Sequence, residues 1–311
     1  MCNQRLHMDD HMCNQELHMS GRRRHARLGQ TAAVPDYQDI RYEVDDPVAT
    51  ITLDRPEVLN AWTDRMGAEV RHAVAAAEHD PRVVGIVITG AGRGFCAGAD
   101  MNTLTSITEG ARGAAEIPAE LASAPGDPAG GDDLRGGEYT YLLSVPKPIV
   151  AAVNGPVAGM AVPFVLACDV RFMADDAVLM TAFAQRGLIA EWGLSWLLPR
   201  LVGTAVGLDL LFSSRKVSGT EAASLGLVNA ALPRDQVLAH AQDYVRGLAR
   251  TSSPASMAVM KRQVYQQLHA GLFPAEREAR SLMIESFSRP DFREGVRSFT
   301  EKRPPSFERL G

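Results

Sequence analysis

The stretch Thr89–Met101, TGAGRGFCAGADM, decides how the chain is read. It follows Val83–Ile88, VVGIVI, a continuous apolar run that predicts a buried strand. A strand entering a glycine-rich turn suggests a dinucleotide-binding loop. That fingerprint needs G-x-G-x-x-G or A opening a helix, with an acid about 20 residues later. Here the glycines stand at 90, 92, 94 and 98, and the spacing fails. The first acid beyond Asp100 is Glu109, inside a loop. Phe95-Cys96-Ala97-Gly98-Ala99-Asp100 is also too small and apolar for an ordinary exposed turn. The other reading uses the backbone. A turn of small residues presents unpaired N–H groups, and two such donors stabilise the oxyanion of an enolate or tetrahedral species. Small side chains leave a substrate room to approach.

A second turn has the same character. Pro148–Val153, PIVAAV, predicts another buried strand, and Asn154–Met160, NGPVAGM, leads from it into an apolar helix. The first N–H groups of a helix lack internal partners and serve as donors. Pro163 fits the first turn of that helix, where a missing N–H does no harm.

Working outward, Ile40–Pro56 alternates as two strands joined at Asp45-Asp46-Pro47. Thr63–Asp80 has a helical period, with Thr63 as N-cap and Asp64 in the first turn. A further strand is expected around Cys168–Met173. The succession argues an α/β fold with a largely parallel inner sheet. Ala111–Gly137, rich in Ala, Gly, Pro and Asp, is either a lid or a disordered connection. From Gly203 the chain reads as helical. A second helix starts at Thr220 with Glu221 in its first turn, and Pro233–Arg250 and Pro254–Leu272 form amphipathic helices.

Composition narrows the function. The chain has 311 residues, 46% hydrophobic, with a formal net charge of -5 and 6% aromatics. That balance argues against a nucleic-acid partner. Four cysteines, with no zinc-like spacing to the histidines, suggest a reduced, cytoplasmic protein without a metal. The apolar stretch Ile149–Val170 is broken by Asn154, Gly155, Pro156, Gly159 and Pro163. It is read as strand, turn and buried helix, not a membrane span. At the N-terminus, MCNQRLHM (Met1–Met8) recurs as MCNQELHM (Met12–Met19). Cys2, His7, His11, Cys13 and His18 have metal-ligating side chains, but residues 1–36 are expected to be a disordered extension.

Five segments occur in order: LDRPEVLNAW (Leu53–Trp62), GRGFCAGADM, KPIVAAVNGPVAGM, GLIAEWGLSWLLPRLVG and EAASLGLVNAAL. Together they resemble the enoyl-CoA hydratase/isomerase (crotonase) family over about residues 37–311. The resemblance implies a spiral of ββα units over 37–230, a helical trimerisation region over 231–311, and acyl-CoA thioester substrates. It implies a homotrimer or dimer of trimers, with no cofactor beyond the CoA carried by the substrate.

Matched residue by residue, the oxyanion donors fall on the N–H groups of Ala99 and Met160. Met160 stands where the family usually has the middle glycine of a three-glycine run. The two glutamates that add water in the hydratases fall on Pro163 and Phe183, neither of which moves a proton. Glu191 matches the position where the isomerases place an acid. Set among Leu188, Ile189, Trp192 and Leu194, it is expected to be partly desolvated, which suits a general base. The CoA-contacting positions match Leu59, Asn60, Ala61, Ala97, Gly98, Ala99 and Asp100, largely through backbone. Phe299 and Lys302 match positions that reach CoA across a subunit contact. Asp100 also reads as a cap or turn-holder, and Cys96 as a small buried thiol. Trp192, Trp196, Phe183 and Ala111–Gly137 are expected to shape the acyl pocket. The expected reaction is double-bond isomerisation with Glu191 as proton shuttle. Hydration or another lyase or hydrolase reaction stays open, as does a non-catalytic acyl-CoA-binding subunit.

Overall fold

The alternation in Ile40–Leu53 folds as a hairpin. In the computed structural model, which describes residues 35–100, 105–106, 110, 117–128 and 132–311, β1 (Ile40–Asp45) pairs antiparallel with β2 (Val48–Leu53). β1 alternates buried and exposed because it is an edge, whereas β2 is almost wholly buried. The helix α1 (Asp64–His79) begins where expected, with Thr63 Oγ1 accepting the Met66 N–H. Its inner face buries Met66, Val70, Ala73, Val74 and Ala77, the spacing of one helix stripe.

β3 (Gly85–Gly90) starts two residues later than the apolar run predicts. The N–H of Val84 is spent on the carbonyl of Pro47, and Thr89 and Gly90 continue the ladder opposite Thr52 and Leu53. Ala111–Gly137 is a packed connection in its described parts. It holds a 3-10 turn at Ala119–Leu121 and the short helix α2 (Asp132–Arg135). Leu121 and Leu134 are buried, and the Gly126 N–H donates to Glu78 of α1. Residues 111–116 and 129–131 lie outside the described residues, as do residues 1–34 with the duplicated segment and its Cys and His side chains.

A second 3-10 turn, Thr140–Ser144, precedes β4 (Ile149–Val153). The chain then moves between two sheets. β5 (Val157–Ala158) and α3 (Ala161–Leu166) lead to β6 (Val170–Ala174) and β7 (Val178–Met180). After α4 (Leu194–Val202) and α5 (Thr204–Ser213), β8 (Val217–Ser218) and α6 (Gly219–Ser224) lead to β9 (Ala230–Leu232). The larger sheet has the order β1-β2-β3-β4-β6-β9, parallel at every pair after the first. The smaller is β5-β7-β8. β3 and β4 are buried on both faces, which explains why they read as unbroken apolar runs. β9 falls inside a stretch that reads as helical. Gly226, in the left-handed region, follows α6, and the next residues pair with Phe172–Ala174.

α7 (Val237–Thr251) packs on the larger sheet, and residues Pro35–Gly311 form one unit. α8 (Pro254–Gln267), α9 (Leu272–Ser286) and α10 (Pro290–Glu301) complete the chain. On α9 and α10, Leu272, Phe273, Ile284, Phe292 and Phe299 stand exposed. Among the described residues no helix is long and apolar enough to cross a membrane.

Candidate active site

The glycine turn folds against other backbone. A Cβ on Gly90 would stand 2.3 Å from the Gly94 carbonyl oxygen, and one on Gly155 would stand 2.1 Å from that of Arg93. These glycines therefore let the turn close on itself and on the Asn154 turn. They do not open space for a substrate, as the sequence suggested. Two side-chain amides, one buried and one half-buried, fix the result. Asn60 Nδ2 donates to the carbonyls of Ala91, Gly94 and Phe95, while its Oδ1 accepts the Arg55 N–H. Asn154 Oδ1 accepts the Gly90 N–H, and its Nδ2 donates to Gly92. Asn60 is 0% exposed, so its side chain holds the turn and does not face a ligand.

The two turns meet at Gly98. This residue has φ +99°, and a Cβ there would lie 2.9 Å from the Ala158 carbonyl oxygen and 3.8 Å from Gly159 Cα. Beside it, Cys96 bridges Val157, and the Ala158 N–H donates to the Cys96 carbonyl at 3.1 Å. On the other side, Trp62 bridges Ala99. The Trp62 N–H donates to Gly98 O at 2.8 Å, and the Asp100 N–H donates to Trp62 O at 3.0 Å. The residues flanking Ala99 are thus pinned toward Trp62, which turns Ala99's own N–H the other way. That N–H donates to none of the described residues. Neither does the N–H of Met160, the N-cap of α3, although the preceding Gly159 N–H is held by Met180 O.

The neighbouring residues also have defined tasks. Asp100 is buried and paired with Arg55 Nη1 at 3.0 Å, while the same guanidinium donates to Ala61 O at 2.6 Å. Asp100 is therefore a turn-holder, and Arg55 is a positioning residue that the sequence reading passed over. Ala61 is buried and Ala97 exposed, with its N–H donating to Leu59 O. Burial pushes the Cys96 thiol up to about 12, so it is no nucleophile. Outside the turn, Leu59, Arg93, Pro156 and Arg234 line a hollow of about 360 Å³.

Pro163 is the third residue of α3 and fully buried, with its carbonyl accepting from Ala167 N–H. Phe183 is buried at the start of the 3-10 turn Ala184–Arg186. Glu191 lies in the turn before α4. Its carbonyl accepts the Leu194 N–H, and its carboxylate has no hydrogen bond or ion pair among the described residues. The expected apolar shield is incomplete. Glu191 is half-buried and Leu194 fully buried, but Ile189 is 78% exposed and Trp192 43% exposed. Those side chains belong to a surface loop and face solvent over much of their area among the described residues.

The aromatic lining also differs from expectation. Trp196 turns away, with Arg200 4.1 Å above its ring and His269 beside it. Trp192 instead contacts Tyr139, which touches Trp62 and Phe164. Tyr139 carries no motif signal in the sequence. Its place follows from the 3-10 turn that it precedes. Phe299 is 86% exposed among the described residues, and Lys302 is exposed at the end of α10.

Comparison with known proteins gives the family of the chain. The family model described as Enoyl-CoA hydratase/isomerase matches residues 43–123 and 130–309. A "Probable enoyl-CoA hydratase" of Rhodobacter capsulatus is 39% identical over 282 residues, spanning 87% of this chain and 98% of that protein. The 1,2-epoxyphenylacetyl-CoA isomerase of Escherichia coli is 31% identical, over 85% of this chain and 96% of its own. The crystal structure of an enoyl-CoA hydratase from Polaromonas sp. JS666 superposes with a TM-score of 0.74 at 28% identity, covering 86% of this chain and 99% of that one. The chain belongs to the enoyl-CoA hydratase/isomerase family, the crotonases.

Proposed function

We propose that this protein is an acyl-CoA enzyme that works through a thioester enolate and moves a carbon–carbon double bond. The observation that carries the reading is the pair of unspent N–H groups, on Ala99 and Met160, in two turns packed together at Gly98. Donors fixed in advance stabilise developing negative charge without reorganising at the moment of reaction. Glu191 takes a proton from the carbon beside the thioester, and the electron pair moves onto the thioester oxygen. The same carboxyl then returns the proton at the far end of the conjugated system. Its carboxylate has no partner among the described residues, as a proton shuttle requires. Pro163 and Phe183 support isomerisation over hydration, because neither activates water. The CoA is part of the substrate, and no other cofactor enters the reaction. The exposed apolar side chains of α9 and α10 favour a homotrimer or a dimer of trimers.

The test is Glu191→Gln with 3-enoyl-CoA as substrate. Isomerisation is expected to fall by about 10²- to 10⁴-fold, the usual share of general acid–base catalysis. Undiminished turnover removes Glu191 from the chemistry. Faster hydration of crotonyl-CoA than isomerisation of 3-enoyl-CoA by the unaltered protein would assign it to the hydratases.

A further inference from the structure

Tyr139 is 2% exposed, and its phenol oxygen is buried without a hydrogen-bond partner among the described residues. A buried tyrosine ordinarily finds such a partner. Its surroundings explain where one would come from. The ring centroid lies 5.4 Å from Trp62, 5.6 Å from Phe164 and 5.5 Å from Trp192. Trp62 is bridged to Ala99, Phe164 lies in the helix capped by Met160, and Trp192 follows Glu191. One residue from each part of the site thus touches this ring. Behind it, a Cβ on Gly193 would meet Thr140 at 3.1 Å, so the loop bearing Glu191 packs on the residue next to Tyr139. Burial, with Glu138 and Cys96 nearby, drives the phenol's pKa far above its ordinary value. It stays a neutral O–H donor at any pH where the protein is folded and active. A phenylalanine would fill the same space without an unpaired polar atom.

The geometry points to Tyr139 as a specificity-determining residue that donates a hydrogen bond to an oxygen on the acyl group. The preferred substrates are therefore CoA thioesters bearing a hydroxyl, ether or carbonyl oxygen beyond the thioester itself. This rests on the acyl-CoA reading above. The three aromatic rings hold the carbon frame, and the phenol O–H, buried and unpaired, selects by oxygenation. A site built around one buried donor discriminates against ligands that leave it unpaired.

Calorimetric titration tests this with two ligand pairs, butyryl-CoA against 3-hydroxybutyryl-CoA and phenylacetyl-CoA against 2-hydroxyphenylacetyl-CoA. At least one oxygenated member is expected to bind the unaltered protein roughly tenfold more tightly than its parent. In Tyr139→Phe that ratio falls to about one, and the ligand-free variant melts no lower than the parent protein. A ratio that is the same in both proteins overturns the proposal, as does a lower melting temperature for Tyr139→Phe, which would reveal a partner inside the protein. If parents bind without any preference for oxygen, this inference alone fails. If none of the four thioesters binds, the acyl-CoA reading fails and takes it along.

Discussion

The proposed oxyanion turn and the Glu191 loop, assigned to one reaction in the proposal above, are built in opposite ways. Residues 89–100 are tied by Asn60, Asn154 and the Arg55–Asp100 pair, which hold the carbonyls of Ala91, Gly92, Gly94 and Phe95 and the Asp100 side chain, while the Ala99 N–H donates to none of the described residues. Residues 187–193 contain three left-handed positions, Gly187, Trp192 and Gly193, and project Leu188 and Ile189 into solvent. Charge stabilisation depends on donors that do not move, so it is placed in the densest part of the molecule. A proton shuttle must serve two carbons in turn, and a loosely tied carboxylate suits that task. The division predicts that damage to the first region costs both stability and chemistry. Damage to the second should cost chemistry alone.

The largest effect is expected at Gly98→Ala. The new Cβ would lie 2.9 Å from the Ala158 carbonyl oxygen, on a residue at φ +99°. Backbone, not a flexible side chain, must give way, and the two donors then lose their common focus. Exchange of the proton beside the thioester, followed by mass spectrometry in heavy water, should fall by about 10²- to 10³-fold, the effect of losing one oxyanion donor. A rate within a factor of about 2 of the parent's would mean that the hole lies elsewhere.

Next comes a paired measurement. Asn60→Ala empties a fully buried place, removes donors to three carbonyls and leaves the half-buried Arg55 N–H unpaired. Unfolding in urea should show a loss on the order of 3 kcal/mol. Glu191→Gln, with no partner to lose among the described residues, should stay within about 0.5 kcal/mol of the parent. Equal losses would erase the contrast between the regions.

These residues also mark what could be read from the sequence. The hairpin, α1 and the buried strands were legible because period and capping are local properties. The proposed donors Ala99 and Met160 rest on resemblance, since a backbone N–H has no side-chain signature. The clamps were not legible. Asn60 and Asn154 look like ordinary turn residues, and only the fold brings both amides to the carbonyls of one loop. Trp196 and Trp192 read alike in sequence, yet one faces Arg200 and the other Tyr139. Trp192 lies before α4 at φ +57° and Trp196 lies on the helix, so the left-handed turn at 192–193, which leaves no mark in the sequence, sends the two rings to different places. β9 was missed because three residues with no aromatic or β-branched member carry no strand signal; their pairing with β6 is a tertiary fact.

A small stability effect should also come from Trp192→Gly, and it examines the backbone of the looser region directly. Trp192 has φ +57°, which costs a residue with a Cβ roughly 1–2 kcal/mol. Glycine removes that strain but raises the entropy lost on folding by about 0.5–1 kcal/mol. It also gives up a ring that is 43% exposed and tilted against Tyr139, a contact worth about 0.5–1.5 kcal/mol. The terms nearly cancel, so the urea midpoint should shift by less than about 1 kcal/mol equivalent. Proton exchange should nevertheless slow, because the ring that fixes the loop beside Tyr139 is gone and Glu191 samples more positions. If stability instead falls by more than about 2 kcal/mol, the loop is as tightly built as the oxyanion turn. The freedom assigned to Glu191 would then have to come from the side chain's own rotamers and not from the backbone that carries it.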